Sequence, residues 1–399
     1  MINNNYEYVY NFKKMGFGMF VHFGLYSVIG KGEWSQDLQP FSVKEYEKFV
    51  DDFNPDLNWA ANLVALAKNA GCKYITLTTR HHDGFSLYDT KGLSDYDSIH
   101  SPAKRDLVRE FVDACNKENI SPFLYHTLLD WHNPDYFNDF PKYIDYLFDS
   151  VKILCSEYGK IGGLWFDGSW DKKNADWQFN RLYSMIRELQ PHAIIVNNQG
   201  ISKCENAAHE QVDVTTFERS RSEKLSNASR PVVGEMCQVF GDHWGYAEND
   251  INFKPFSEIL NNFIDCRCND CNFLLNTGLL PDGNVPPLDK VYFNAMGKWI
   301  KVNKNFVYNL QKPRISAEGA DLLFDGKFYY AVIKNVPMVA NPDVQLKPEE
   351  IQKVKISCPI KNAVWLDDGS PVVSDNGEFT VKTFKYGVSL CARVARFEI

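Results

Sequence analysis

Eight short, β-prone apolar runs punctuate the first 280 residues, at 16–22, 73–79, 122–127, 163–167, 193–197, 212–218, 232–238 and 272–276. Between most of them apolar residues return at helical spacing. Trp59, Ala60, Leu63, Val64 and Ala67 form one such stripe, and Leu107, Val108, Phe111, Val112 and Cys115 another. Segments 143–158 and 175–189 read as helices in the same way. Strand and helix alternating eight times over predict a (β/α)₈ barrel. From 218 to 232 the chain is polar and has no apolar stripe, so one barrel helix is expected to be missing and the barrel to be irregular. After a last helix at 289–304 the texture changes. Short strand-like runs at 321–324, 328–333, 354–356, 363–366, 378–382 and 388–395 alternate with turn pairs such as Asp325-Gly326 and Asn376-Gly377. The expected organisation is a barrel over 1–310 and a small antiparallel β-sandwich over 311–399.

Composition narrows the class. The chain has 399 residues, 44% of them apolar, enough for one large core and a smaller one. The aromatic share of 14% fits stacking on sugar faces, but it fits the filling of a large core at least as well. A net charge of −8 with no basic stripe argues against nucleic acid. No apolar run approaches the roughly 20 residues that span a bilayer, so no membrane partner is expected. Residues 1–10 lack a basic and an apolar segment of the export type, so the chain reads as cytoplasmic, or as secreted or periplasmic if a signal has been removed. Ten scattered cysteines fit a reduced compartment. Cys266, Cys268 and Cys271 have metal-like spacing but no fourth ligand follows, and structural thiols are the better reading. The oligomeric state is left open, a homo-oligomer included.

In a barrel of this kind the site forms at the C-terminal ends of the strands. Those ends are unusually polar here: His22, then Arg80, His81, His82 and Asp83, then 125–130, then Asp167, then Asn197, Asn198 and Gln199, then Glu218, with Glu235 inside the seventh run. One or two such residues are ordinary caps; a set from this many strands implies a site. Two carboxylates facing one pocket are the minimum for glycoside hydrolysis, one ionised and one kept protonated. Asp167 and Glu218 suit those parts by position. His81 and His82, with His22 and Asp83, offer metal-type ligands, yet neighbours on an extended segment point to opposite faces. Donors to sugar hydroxyls suit them better.

The segments FGMFVHFGLYSVIGKGEW (17–34), KYITLTTRHHDGFSLYDTK (73–91), LYHTLLDWHNP (124–134) and GLWFDG (163–168) resemble the family 29 glycoside hydrolases, the α-L-fucosidases. VNNQG (196–200), TFE (216–218), Glu235 with 244–246, and NFLLNTGLLPDG (272–283) extend the resemblance over essentially the whole chain. It implies retaining hydrolysis of fucosylated oligosaccharides or glycoconjugates through a covalent fucosyl-enzyme, with no metal and no organic cofactor. Asp167 is then the nucleophile and Glu218 the acid/base, with Glu235 the second candidate for that part. His22, His81, His82, Glu33 and Trp34 correspond to sugar-binding positions. Tyr125, Trp165 and Trp244 correspond to the pocket walls. Trp165 shares its strand face with Asp167, which favours the site over the core, whereas Trp244 also suits plain surface packing. Phe23 stands where relatives carry Trp, and Gln199 where most carry a substrate-binding Arg; Arg219 or Arg221 is the expected replacement. The competing expectations are a glycosidase for a related sugar such as a galactoside, and a fucose-binding protein without turnover.

Overall fold

The computed structural model describes residues 6–198, 209–225, 230–303, 307–339 and 350–399. Eight parallel strands close a barrel in sequence order: β1 (Phe17–His22), β2 (Tyr74–Arg80), β3 (Ser121–Thr127), β4 (Gly163–Asp167), β5 (Ile194–Asn197), β6 (Val214–Glu218), β7 (Val233–Gln238) and β8 (Asn272–Gly278). Each coincides with an expected run to within two residues at either end. Strand β8 returns to β1 with Phe17 against Phe273 and His22 against Gly278, which completes the ring.

The outer helices are Trp59–Ala70, Leu107–Glu118, Phe140–Glu157, Phe179–Leu189, Phe256–Cys268 and Pro287–Val302. Their apolar stripes are buried, as in Leu107, Val108, Phe111, Val112 and Cys115. Asp106 starts that helix by accepting from the Arg109 amide at 2.8 Å, which satisfies a free helix-end donor. Among the described residues no helix lies between β6 and β7, and none between β5 and β6 either. The sequence pattern pointed only to the first of these gaps.

The N-terminal helix Glu7–Met15 closes the bottom of the barrel. Val9 and Phe12 join the interior cluster of Phe20, Tyr74, Phe123, Tyr125 and Trp165. The Phe12 ring meets Tyr74 edge-on at 5.1 Å and Phe123 at 5.2 Å. Polar ties hold the plug: Tyr8 Oη donates to Asp213 at 3.1 Å, and the Asn272 amide donates to the Phe12 carbonyl at 2.9 Å.

Beyond the barrel, β10 (Asp321–Phe324), β11 (Tyr329–Ile333), β15 (Arg393–Glu398) and β13 (Lys361–Trp365) form a four-stranded antiparallel sheet in that order. A second, of β14 (Glu378–Lys382), β12 (Glu350–Ile356) and β9 (Ala317–Glu318), completes the C-terminal region. One apolar cluster, with Tyr329, Ala331 and Phe397 from the first sheet and Val354, Phe379 and Val381 from the second, packs them together. Among the described residues no helix is long and apolar enough to cross a membrane.

Candidate active site

A cavity of about 710 Å³ opens at the C-terminal ends of the barrel strands. His22 enters it from β1, His81 and His82 from just past β2, Tyr125 from β3, Trp165 and Asp167 from β4, Asn198 from just past β5 and Glu218 from β6. Glu33 and Trp34 come from the loop after β1, and Trp244 from the loop after β7. Of the residues singled out in the sequence, Gln199 lies outside the described residues. Among the described catalytic and sugar-binding candidates, Glu235 does not line the cavity. It sits deeper in the barrel, 1% exposed, with Oε2 accepting from Tyr74 Oη at 2.6 Å and Oε1 from Trp165 Nε1 at 3.0 Å. A proton donor must reach the substrate, and Glu235 is separated from the cavity lining while Glu218 is part of it, which favours Glu218 for that part.

Asp167 Oδ1 accepts from the Gly168 amide at 2.9 Å, from Trp170 Nε1 at 3.0 Å and from Asn198 Nδ2 at 3.3 Å. Its Oδ2 accepts from Tyr125 Oη at 3.1 Å. Gly168 has φ +96, and a Cβ there would meet Leu129 Cβ at 2.6 Å, so only glycine presents its amide in this tight turn. Burial raises the Asp167 pKa, and these donors oppose the rise. Glu218 is raised too, first by burial and then by the Asp167 charge, against the pull of Asn198, Arg219 and Trp244. Asn198 Nδ2 also donates to Glu218 Oε2 at 2.9 Å, so one amide bridges both carboxylates. Its orientation is set by Thr216 Oγ1, which donates to Asn198 Oδ1 at 2.9 Å.

The histidine pair departs from the strand-alternation argument. Strand β2 ends at Arg80, and a turn follows in which the Gly84 amide donates to the His81 carbonyl at 3.0 Å. Both rings therefore face the cavity, with centroids 4.2 Å apart. Burial pushes His22 and His82 down to about 3 and His81 well below its ordinary value, so all three are neutral. Their hydrogen bonds fix two tautomers. His22 Nδ1 donates to Asn276 Oδ1 at 2.6 Å, because the Asn276 amide is spent on the Trp244 carbonyl at 2.7 Å. His82 Nδ1 donates to Thr127 Oγ1 at 2.7 Å, because that hydroxyl already donates to the Leu129 carbonyl. With Nδ1 engaged in this way, each ring leaves Nε2 to the cavity, that of His82 3.7 Å from Asp167 Oδ2. His81 Nδ1 is buried and has no partner among the described residues. No cluster of three or more His, Cys, Asp or Glu side chains among the described residues has metal-holding geometry. Of the cysteine trio, Cys266 meets Met236 Sδ at 3.6 Å and Cys271 the Glu223 carbonyl at 3.4 Å.

Aromatic rings wall the cavity. Trp165 stacks on Tyr125 at 5.5 Å and 19°, and Trp244 packs against His22 at 5.5 Å. The Glu33 carboxylate accepts the Trp244 and Gly245 amides at 3.0 and 2.8 Å and so ties the two wall loops together. Trp34 lies over Trp170 at 5.8 Å and 15°. Asn198 and Trp170 were not singled out from sequence. Asn198 belonged to a polar strand end, but nothing in the pattern marked it as a bridge; Trp170 lies past the strand in a loop without periodicity. Of the two arginines expected to replace the missing cation, Arg219 lines the cavity with its guanidinium 5.0 Å from the Trp244 ring centroid. Arg221 is exposed and outside it.

Residues 3–305 match the family model of the α-L-fucosidases. The tissue α-L-fucosidase of Bos taurus is 27% identical over 362 residues, covering 82% of this chain and 75% of that protein. The human tissue enzyme is 26% identical, covering 77% and 70%. Among solved structures, α-L-fucosidase isoenzyme 1 from Paenibacillus thiaminolyticus superposes with a TM-score of 0.84 at 29% identity, covering 99% of each chain. With the family model spanning the barrel and the carboxylates of β4 and β6 meeting in its mouth, the chain belongs to the α-L-fucosidase family and is a glycoside hydrolase.

Proposed function

We propose that this chain removes terminal α-L-fucosyl residues from fucosylated oligosaccharides or glycoconjugates with retention, Asp167 acting as nucleophile and Glu218 as acid/base. The observation that carries retention is the bridging amide. A nitrogen 3.3 Å from Asp167 Oδ1 and 2.9 Å from Glu218 Oε2 holds one oxygen of each carboxylate within about 6 Å of the other, a close approach that supports the retaining arrangement, in which the carboxyl groups lie roughly 5–5.5 Å apart.

Asp167 Oδ2, held by the Tyr125 hydroxyl while three donors occupy Oδ1, attacks the anomeric carbon. The bond to the leaving oxygen breaks as Glu218 gives that oxygen its proton. Glu218, now ionised, takes a proton from water, whose oxygen displaces Asp167 and releases fucose. The raised pKa of Glu218 supports the first part, since burial and the neighbouring charge favour its protonated form. The Nε2 atoms of His22 and His82 accept from sugar hydroxyls. The rings of Tyr125, Trp165 and Trp244 offer an apolar wall to the C5 methyl that stands in L-fucose where L-galactose carries a hydroxymethyl.

Hydrolysis of an aryl α-L-fucoside beside the matching α-galactoside tests the substrate. Turnover of the fucoside alone is expected; a preference for the galactoside, or binding of fucose without turnover, overturns the assignment. Asp167→Gly is expected to lose at least about a thousandfold in kcat and to regain part of it with azide, a small anion in place of the carboxylate. Near-normal activity in Asp167→Gly would exclude it as the nucleophile.

A further inference from the structure

Glu235 is a buried carboxylic acid for which hydrolysis by Asp167 and Glu218 has no chemical use. Its surroundings give it another. Strand β7 sends Cys237 to the cavity wall, and Glu235, two residues earlier on the same strand face, lies one layer deeper. There its two oxygens are divided between two strands, Oε2 on Tyr74 Oη of β2 at 2.6 Å and Oε1 on Trp165 Nε1 of β4 at 3.0 Å.

Both partners are locked on their far sides. The Tyr74 ring crosses the barrel interior over Gly18, its register partner on β1, where a Cβ would stand 2.4 Å from the ring. Phe12 of the N-terminal helix closes on the same ring from below. Trp165 in turn stacks on Tyr125, packs against Phe20 at 5.1 Å, and Tyr125 Oη donates to Asp167 Oδ2. A continuous set of contacts therefore runs from the plugged end of the barrel to the nucleophile, and Glu235 is the polar joint between its Tyr74 and Trp165 halves.

We propose that Glu235 is a positioning residue. It holds the Trp165 indole against Tyr125 and so fixes both the floor of the sugar pocket and the hydroxyl on Asp167. This rests on the fucosidase reading of the cavity. What the joint requires is reach rather than charge. Burial lifts the Glu235 pKa to about 7, so near neutral pH the carboxyl is partly protonated already. A neutral glutamine of the same length offers its oxygen to Trp165 and its amide to the Tyr74 hydroxyl, which turns to accept.

Three variants separate this role from proton transfer. Glu235→Gln is expected to stay within about threefold of the parent in kcat/KM, because both hydrogen bonds survive. Glu235→Asp keeps the charge but withdraws it by one methylene. A displacement of that size costs on the order of a hundredfold when it reaches the reacting groups, so kcat/KM should fall by about that factor on aryl fucosides and fucosyl disaccharides alike. In a Trp165→Phe background, which removes the indole N–H, Glu235→Asp should cost no more than about threefold further. The proposal is overturned if Gln loses as much as Asp. It is also overturned if the losses fall mainly on substrates with poor leaving groups, which marks a proton donor, or if the Asp cost is undiminished in the Trp165→Phe background. Affinity for free L-fucose, measured by calorimetry, reads the same floor without turnover and should weaken in Glu235→Asp but not in Glu235→Gln. Fucoside turnover by the parent protein reports on the activity itself, so failure of that reading is seen separately from failure of the Glu235 ratios.

Discussion

At the scale of single residues, Asn198 is the member of the site whose removal has the clearest electrostatic sign. Its amide donates to both carboxylates, which favours their charged forms and lowers both pKa values against the rise caused by burial. Asn198→Ala removes the donor, so Asp167 and Glu218 both titrate higher. On the proposed mechanism, hydrolysis needs Asp167 ionised and Glu218 protonated. The acidic limb of the kcat/KM profile, set by Asp167, and the alkaline limb, set by Glu218, should therefore both move to higher pH. A loss of about tenfold to a hundredfold at the optimum is also expected, since the freed carboxylates lose their alignment. Arg219 gives a contrasting case. Its charge lowers the Glu218 pKa, so Arg219→Gln should move the alkaline limb to higher pH and leave the acidic limb in place. A pH–rate series on the two variants checks both statements, and an unshifted alkaline limb in Arg219→Gln would remove Arg219 from the electrostatics of the site.

Among the elements, the N-terminal helix has the most to explain. It lines no part of the cavity, yet it buries Val9 and Phe12 in the barrel, each 1% exposed. Parallel strands need both ends of the barrel interior filled. Here the C-terminal end holds a polar cavity, so the apolar closure comes from the other end. Deleting a buried phenylalanine side chain typically costs about 3–5 kcal/mol, and Phe12 meets both Tyr74 and Phe123. Phe12→Ala is accordingly expected to lower stability by about 3 kcal/mol in denaturant titration. A change below about 0.5 kcal/mol, the usual range for surface positions, would mean that the helix does not plug the barrel. The segment after β2 shows the same dependence of chemistry on backbone. The buried Arg80 guanidinium pairs with Asp130 from the segment after β3, and the turn between Arg80 and Gly84 aims two consecutive histidines into one cavity.

At the scale of the whole molecule, the barrel and the C-terminal sheets share apolar material. Trp299 and Ile300 of the last barrel helix fall in one buried cluster with Leu323, Tyr330, Val332, Leu366, Ala392 and Val394 of the sheets. Trp299 Nε1 also donates to the Ala392 carbonyl at 3.3 Å. Cores joined this way unfold together, because exposing one side strips the other. A single calorimetric transition is expected, with the sheet region and the barrel melting at one temperature. Two resolved transitions would show that the shared surface is too small to couple them.

The strand order, the barrel and the C-terminal sheets were legible in the sequence because they rest on local periodicity, which the chain writes residue by residue. The Trp-Phe-Asp-Gly end of β4 was legible for a related reason: a carboxylate, a glycine turn and an aromatic on the same strand face are fixed by neighbours in sequence. The N-terminal plug was not, since a short stretch rich in Asn and Tyr reveals its role only when Phe12 finds Tyr74. The histidine pair was misjudged because alternation holds only while the strand lasts, and β2 stops at Arg80. Which of two glutamates can reach a substrate was decided by depth. Glu218 and Glu235 both sit on barrel strands, and only the closed barrel shows that one ends in the cavity and the other beneath Trp165. Likewise the bridge from Asn198 to two carboxylates joins β4, β5 and β6, and no single stretch of chain contains it. Sequence determined what is set by short-range geometry; the closure of eight strands into one ring decided which side chains meet.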